Sequence, residues 1–196
     1  MLIERLQRDP SFSLFLDRDG VINRRLPGDY VKSWAEFHFI EEAKTAIARL
    51  NNYFLRTIIV TNQQGIGKGL MTKADLKQIH RQMLEDIQKA DGTIDGIYYC
   101  PELAGASCRK PNTGMAEQAK ADFPEIDFQR SVMAGDSLSD MEFGGHLNMI
   151  NVLIETKAET LRELEHGHFP YPIHYRFSSL AGFADYLEAG MASESQ

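Results

Sequence analysis

Four short clusters hold the residues whose types and spacing could do chemistry: Asp17-Arg18-Asp19-Gly20, Thr61-Asn62-Gln63, Arg109-Lys110, and Asp136 with Asp140. Paired carboxylates two positions apart, a distant acidic pair, a hydroxyl and a lysine suit phosphoryl transfer onto a carboxylate. Such a nucleophile splits hydrolysis into two steps through an aspartyl-phosphate. It must approach an anion, so a divalent cation and a lysine are needed to offset the repulsion. Hard oxygen ligands shared with water and phosphate suit Mg²⁺. A second carboxylate beside the nucleophile can protonate the leaving oxygen and then activate water. Asp17, Asp19, Lys110 and Asp136 can fill these roles.

Bringing such scattered groups together requires a scaffold that ends several strands on one edge. Five apolar runs read as strands covered on both faces: Phe12–Asp17, Thr57–Thr61, Gly96–Cys100, Ser131–Gly135 and Ile150–Ile154. Helical patterns alternate with them. Ala43, Ile47 and Leu50 share one face; Leu76, Ile79, Met83 and Ile87 share another, with Thr72 as the expected N-cap. Gly114–Phe123, Leu138–Leu147 and Ala158–Glu165 fill the later gaps, and a strand near Ile173–Phe177 and a helix near Leu180–Ala189 close the chain. Alternating strands and helices predict an α/β fold: a central parallel sheet with helices on both faces, its ligands beyond the carboxyl ends of the strands. Each chemical cluster follows the end of a different predicted strand. No linker or repeat interrupts the pattern, so residues 1–190 read as one domain and 191–196 as a tail prone to fray.

Bulk properties narrow the partners. The chain has 196 residues, enough for one well-buried core, and a formal net charge of -7. Without a stripe of Lys and Arg it is not expected to bind nucleic acid, which requires clustered positive charge; a single phosphate needs only a few local donors. The apolar run Phe12–Leu16 is too short to cross a membrane, and Glu4 and Asp9 break any signal-peptide pattern. Two cysteines, Cys100 and Cys108, are too few for a disulfide scaffold, so reduced thiols and a cytoplasmic location are expected.

The stretches FLDRDGVIN (Phe15–Asn23), VTNQQGIGKG (Val60–Gly69), CRKP (Cys108–Pro111) and GDSLSDM (Gly135–Met141) resemble, in order, the four motifs of the haloacid dehalogenase (HAD) superfamily. DYV at Asp29–Val31, DGIYYCP at Asp95–Pro101 and RKPNTGM at Arg109–Met115 resemble its branch of heptose-bisphosphate and histidinol-phosphate phosphatases. The resemblance implies a Rossmann-like three-layer fold without a large cap domain. It also implies Asp17 as nucleophile and Mg²⁺ ligand, and Asp19 as general acid/base and carbonyl ligand. Thr61 and Asn62 would bind phosphate, Lys110 would stabilise charge, Asp136 would complete the metal site with Asp140 orienting Lys110 or the loop, and Arg109 would bind substrate. The implied partner is a small phosphorylated metabolite.

One part of the pattern is broken. Relatives in the branch often hold a structural zinc through Cys-x-His and Cys-x-Cys, but Glu102 and Ala106 stand at two of those positions. Zinc wants four Cys or His ligands, so none is expected here. The six histidines lack ligand spacing and read as surface or packing residues. Trp34, Phe37 and Phe39 read as packing in the segment after the first strand, where Arg24 or Arg25 could meet a second phosphate. A sugar phosphate is the favoured substrate class, D-glycero-D-manno-heptose 1,7-bisphosphate leading it. Histidinol phosphate and a non-catalytic phosphate-binding module are the alternatives.

Overall fold

The computed structural model describes residues 2–193. Six parallel strands form one sheet: β1 Ser13–Leu16, β2 Arg56–Asn62, β3 Gly96–Cys100, β4 Ser131–Gly135, β5 Ile150–Ile154 and β6 Tyr175–Phe177. Their order across the sheet is β3-β2-β1-β4-β5-β6. Parallel neighbours need crossovers, supplied by α2 Ala43–Leu50, α4 Lys73–Gln88, α5 Gly114–Asp122, α6 Leu138–His146 and α7 Ala158–His166. A helix α1, Leu2–Arg8, precedes the sheet, α3 is a single turn at Gln64–Gly67, and α8 spans Leu180–Ser193.

The central strands β1, β4 and β5 are buried at every residue, as strands covered on both faces must be. Alternation along them sorts the core into two layers. Leu14, Leu16, Ile59, Val132 and Val152 share a cluster with Ile47 and Leu50 of α2, Ile79 and Met83 of α4, and Phe183 and Leu187 of α8. Phe15, Ile58, Val60 and Met133 point the other way, into a cluster with Met115 and Ala119 of α5 and Phe143 of α6. The α/β three-layer architecture therefore follows from the apolar pattern, and no large cap is present among the described residues. None of their helices is long and apolar enough to cross a membrane.

Predicted elements land within a few residues. Thr72 caps α4 as expected, accepting from the Asp75 amide at 3.1 Å while Asp75 returns a bond to the Thr72 amide at 2.8 Å. Helix α1 was not predicted. At seven residues it is too short to hold by itself, and only burial of Leu2, Ile3 and Leu6 beside α8 makes it stable. Helix α8 runs beyond residue 190 to Ser193, and residues 194–196 of the expected tail lie outside the described residues.

Candidate active site

At β1 the ladder continues one residue past the strand, Asp17 N donating to Ala134 O at 2.9 Å. The chain then turns sharply so that Asp19 also faces the sheet edge. Gly20 makes this turn possible: its φ is +98°, and a Cβ there would lie 1.9 Å from Asp136 Oδ2. The glycine at the end of β4 serves the same closeness, since a Cβ on Gly135 would lie 2.3 Å from that of Asp140.

Lys110 organises the acids. Its ammonium reaches Asp17 Oδ1 at 2.7 Å, Val60 O at 2.7 Å and Asp140 Oδ1 at 2.6 Å. The first two are hydrogen bonds and the third is an ion pair, so the side chain is held from three sides. Burial works against a charged lysine, but Asp140 and Asp17 outweigh it and hold the Lys110 pKa above normal. Asp140 lies against the lysine. Its second oxygen accepts from Ser137 N at 3.0 Å and Ser137 Oγ at 2.6 Å, capping α6. Burial favours the neutral carboxyl of Asp140, yet Lys110 and the Ser137 bonds hold its pKa below normal.

The remaining acids are left with surplus negative charge. Burial raises Asp17 to about 6, with the Asp140 and Asp19 charges adding to the rise and Lys110 opposing it. Burial, then the Asp17 charge, raises Asp136 to about 7 against the pull of Arg25. Asp17, Asp136 and Asp140 present oxygens within 4.8 Å of one another. Asp140 is already committed at both oxygens to Lys110 and Ser137, so Asp17 and Asp136 are the pair free to hold a cation. The guanidinium of Arg25 marks the place: one nitrogen donates to the Asp19 carbonyl at 3.0 Å and to Asp136 Oδ1 at 2.7 Å. A resident cation thus bridges two of the three oxygens expected to bind metal, and this hard-oxygen set fits a divalent ion such as Mg²⁺.

Asp19 is gripped on both oxygens. Arg18 Nη2 and Asn23 Nδ2 donate to Oδ1, each at 2.9 Å, and Gln63 Nε2 donates to Oδ2 at 2.9 Å. Gln63 also donates to Thr61 Oγ1 at 2.9 Å, which leaves the hydroxyl hydrogen of Thr61 for another acceptor. Burial opposes ionisation of Asp19, but the Arg18 charge and these bonds hold its pKa below the usual value. Asn62, expected on phosphate, spends both ends of its amide on the backbone of Lys110, accepting at 3.0 Å and donating at 3.2 Å. It ties the end of β2 to the lysine loop. Gln63 was noted in the sequence only as a strand-end residue, and Arg18 and His80 carried no assigned role; nothing in their spacing shows that they converge.

Asp17, Arg18, Asp19, Thr61, Gln63, Lys110 and Asp140 line one cavity of about 420 Å³, together with Arg25, Tyr30, Lys68, Arg109 and Ser139. Arg109 is half-buried, and its inner nitrogen Nη1 has no hydrogen-bond partner. The two arginines after β1 part company. Arg25 faces the cavity, whereas Arg24 lines a separate shallow hollow with Trp34, Phe37 and Phe39. Those aromatics stack on one another, Trp34 against Phe37 at 4.9 Å between ring centroids. Asp29 and Tyr30 of the DYV stretch line the cavity rim, and Tyr30 donates its hydroxyl to Gln64 Oε1 at 3.0 Å. Asp95 of DGIYYCP sits at the opposite edge of the sheet, accepting from Thr57 N at 2.8 Å.

The cysteines differ from expectation. Cys100 and Cys108 form a disulfide, their Cα atoms 5.4 Å apart. The reduced thiols read from composition are thus replaced by a bond, because the loop after β3 returns to its own start. That return is a property of the fold, invisible in a count of two cysteines.

Residues 107–182, which include Lys110, Asp136 and Asp140, match a HAD-hydrolase-like family profile. The chain is 40% identical over 131 residues to the D-glycero-alpha-D-manno-heptose-1,7-bisphosphate 7-phosphatase of Mycobacterium tuberculosis (strain CDC 1551 / Oshkosh), covering 66% of this chain and 69% of that protein. It is 35% identical over 165 residues to the D-glycero-beta-D-manno-heptose-1,7-bisphosphate 7-phosphatase of Escherichia coli (strain K12), covering 79% of this chain and 85% of that one. In three dimensions it overlays on the D,D-heptose 1,7-bisphosphate phosphatase from B. bronchiseptica, crystallised with magnesium and phosphate. The TM-score is 0.82 at 30% identity, covering 91% of this chain and 98% of that one.

Proposed function

The chain belongs to the haloacid dehalogenase superfamily of phosphatases, and from that premise we propose that it removes one phosphate from a sugar bisphosphate, foremost D-glycero-D-manno-heptose 1,7-bisphosphate. Relatives of both anomeric specificities match it. The proposal rests on one observation: the Asp17–Lys110 pair, the gripped Asp19 and the unpartnered Arg109 nitrogen line the same cavity.

In this reading a carboxylate oxygen of Asp17 attacks phosphorus while the phosphorus–oxygen bond to the sugar breaks. Asp19 delivers a proton to the departing oxygen. Water then adds to the aspartyl-phosphate, Asp19 takes its proton, and the bond to Asp17 breaks to release inorganic phosphate. Lys110 holds Asp17 in place and balances charge on the transferring group, and the Thr61 hydroxyl is available to donate to a phosphate oxygen. Mg²⁺, held by Asp17, Asp136 and the Asp19 carbonyl, would relieve the repulsion between nucleophile and phosphate. Binding it there requires Arg25 to leave, which frees a guanidinium at the cavity edge. Arg25 and Arg109 are then two forked donors for the second phosphate. Arg24 has no such part, because it faces the other hollow.

A charged bisphosphate does not cross a membrane unaided, so a cytoplasmic enzyme is the matching setting. The Cys100–Cys108 bond sets a condition on this, since thiols there are kept reduced. A panel of heptose bisphosphate, sugar monophosphates, histidinol phosphate and 4-nitrophenyl phosphate tests the substrate. The bisphosphate is expected to give the highest kcat/KM, and Arg109→Ala to raise its KM about tenfold while barely moving that of the aryl phosphate. A kcat/KM for histidinol phosphate above that for every sugar phosphate would replace the assignment with the amino-alcohol one.

A further inference from the structure

Arg18 is an expensive residue to have where it is. Its side chain is only 1% exposed, the largest among the fully buried ones, and a guanidinium cannot shed its charge to ease the burial. Arg18 borders the cavity, but a side chain with almost no exposed surface has little to offer a substrate. Its two arms show what it does instead. Nη2 donates to Asp19 Oδ1 at 2.9 Å, and Nη1 lies 3.2 Å from Nε2 of His80, on α4. Since Arg18 can only donate, His80 accepts at Nε2 and carries its own hydrogen at Nδ1. The imidazole is itself buried and meets the ring of Tyr99 edge-on at 6.2 Å. Phe37 lies on the other side of the guanidinium, 5.9 Å from its carbon.

We infer that Arg18 and His80 are positioning residues that fix which oxygen of Asp19 carries the proton to the leaving group. Arg18 and Asn23 together fill Oδ1 with two hydrogen bonds, while Oδ2 receives one, from Gln63. Each carboxylate oxygen offers about two acceptor sites. Oδ2 is therefore the oxygen left with a free site, and the one able to take up a proton and pass it on. Without His80, Arg18 would lose the partner of its second arm, its plane would be free to rotate, and Asp19 could turn with it. The inference rests on Asp19 being the general acid of the proposed reaction, and the experiment separates the two.

The test compares kcat/KM for a sugar phosphate and for 4-nitrophenyl phosphate, because that ratio reports the steps up to departure of the leaving group. A sugar alkoxide needs the proton; nitrophenolate leaves without it. Asp19→Asn is the reference, with kcat/KM expected to fall about a hundredfold or more on the sugar phosphate and far less on the aryl ester. His80→Leu should show the same asymmetry in weaker form, about a tenfold loss on the sugar phosphate. His80→Gln, whose amide oxygen can accept from Arg18, should recover most of it. If His80→Leu does not fold, Arg18→Lys, which keeps the charge but not the fork, is read the same way. Equal losses on both substrates in the His80 or Arg18 variants, or no loss, would overturn the brace while Asp19→Asn still shows asymmetry. A symmetric Asp19→Asn would overturn the role of Asp19 and the brace with it.

Discussion

The acid cluster at the ends of β1 and β4 and the rim formed by residues 25–31 are built on opposite principles. In the cluster Asp17, Lys110, Asp136 and Asp140 are buried and closely held: Lys110 has three partners, Asp140 is ion-paired at one oxygen and hydrogen-bonded at the other, and Asn62 clamps the lysine backbone. At the rim, Arg25 and Tyr30 are partly exposed and make bonds they can give up. Breaking a buried network leaves charges stranded in low dielectric, whereas a side chain released at the rim returns to water. The general chemistry therefore sits in the rigid part, and the choice of substrate in the part that can rearrange.

Asp17→Asn tests the rigid half most severely. Replacing the nucleophile by an amide of the same shape should cost about a thousandfold or more in kcat, on the order of 4 kcal/mol at the barrier. More than a tenth of the wild-type rate in the purified variant would remove Asp17 from its role. The same variant carries a second, opposite expectation. The pKa of Asp17 is raised in the fold to about 6 from 3.8, so the folded state holds its proton more tightly than the unfolded chain. Its ionisation then disfavours folding, fully above about pH 6 and not at all below the unfolded value. In EDTA, Asp17→Asn should melt higher than wild type at pH 7.5, and the gap should close as the pH falls from 6 toward 4. A gap that widens on acidification would contradict the burial account.

Arg25→Ala probes the movable half, where effects are smaller. Removing the internal cation from Asp136 and the Asp19 carbonyl should tighten Mg²⁺ binding, measured by titration calorimetry. The arginine end of this pair is exposed but Asp136 is buried, so about 1 kcal/mol is expected, roughly a fivefold fall in Kd. Weaker Mg²⁺ binding would mean that Arg25 supports the metal site instead of competing for it.

Sequence by itself determined the strand-helix alternation, because runs buried on both faces must be continuously apolar. It also marked Asp17 and Asp19, Lys110, and Asp136, since these follow three different strands and parallel strands end on one edge. Tertiary structure alone decided the partners of those groups. Asn62 turned toward the Lys110 backbone, Arg25 came to Asp136 across 111 positions of sequence, and His80 reached Arg18 from a helix that local pattern marks only as amphipathic. It also joined Cys100 to Cys108 and made α1 a helix by giving it α8 to lie on. The physical reason is the same in each case. Periodicity records which face of an element is buried, but a hydrogen bond between two elements depends on where both are finally held.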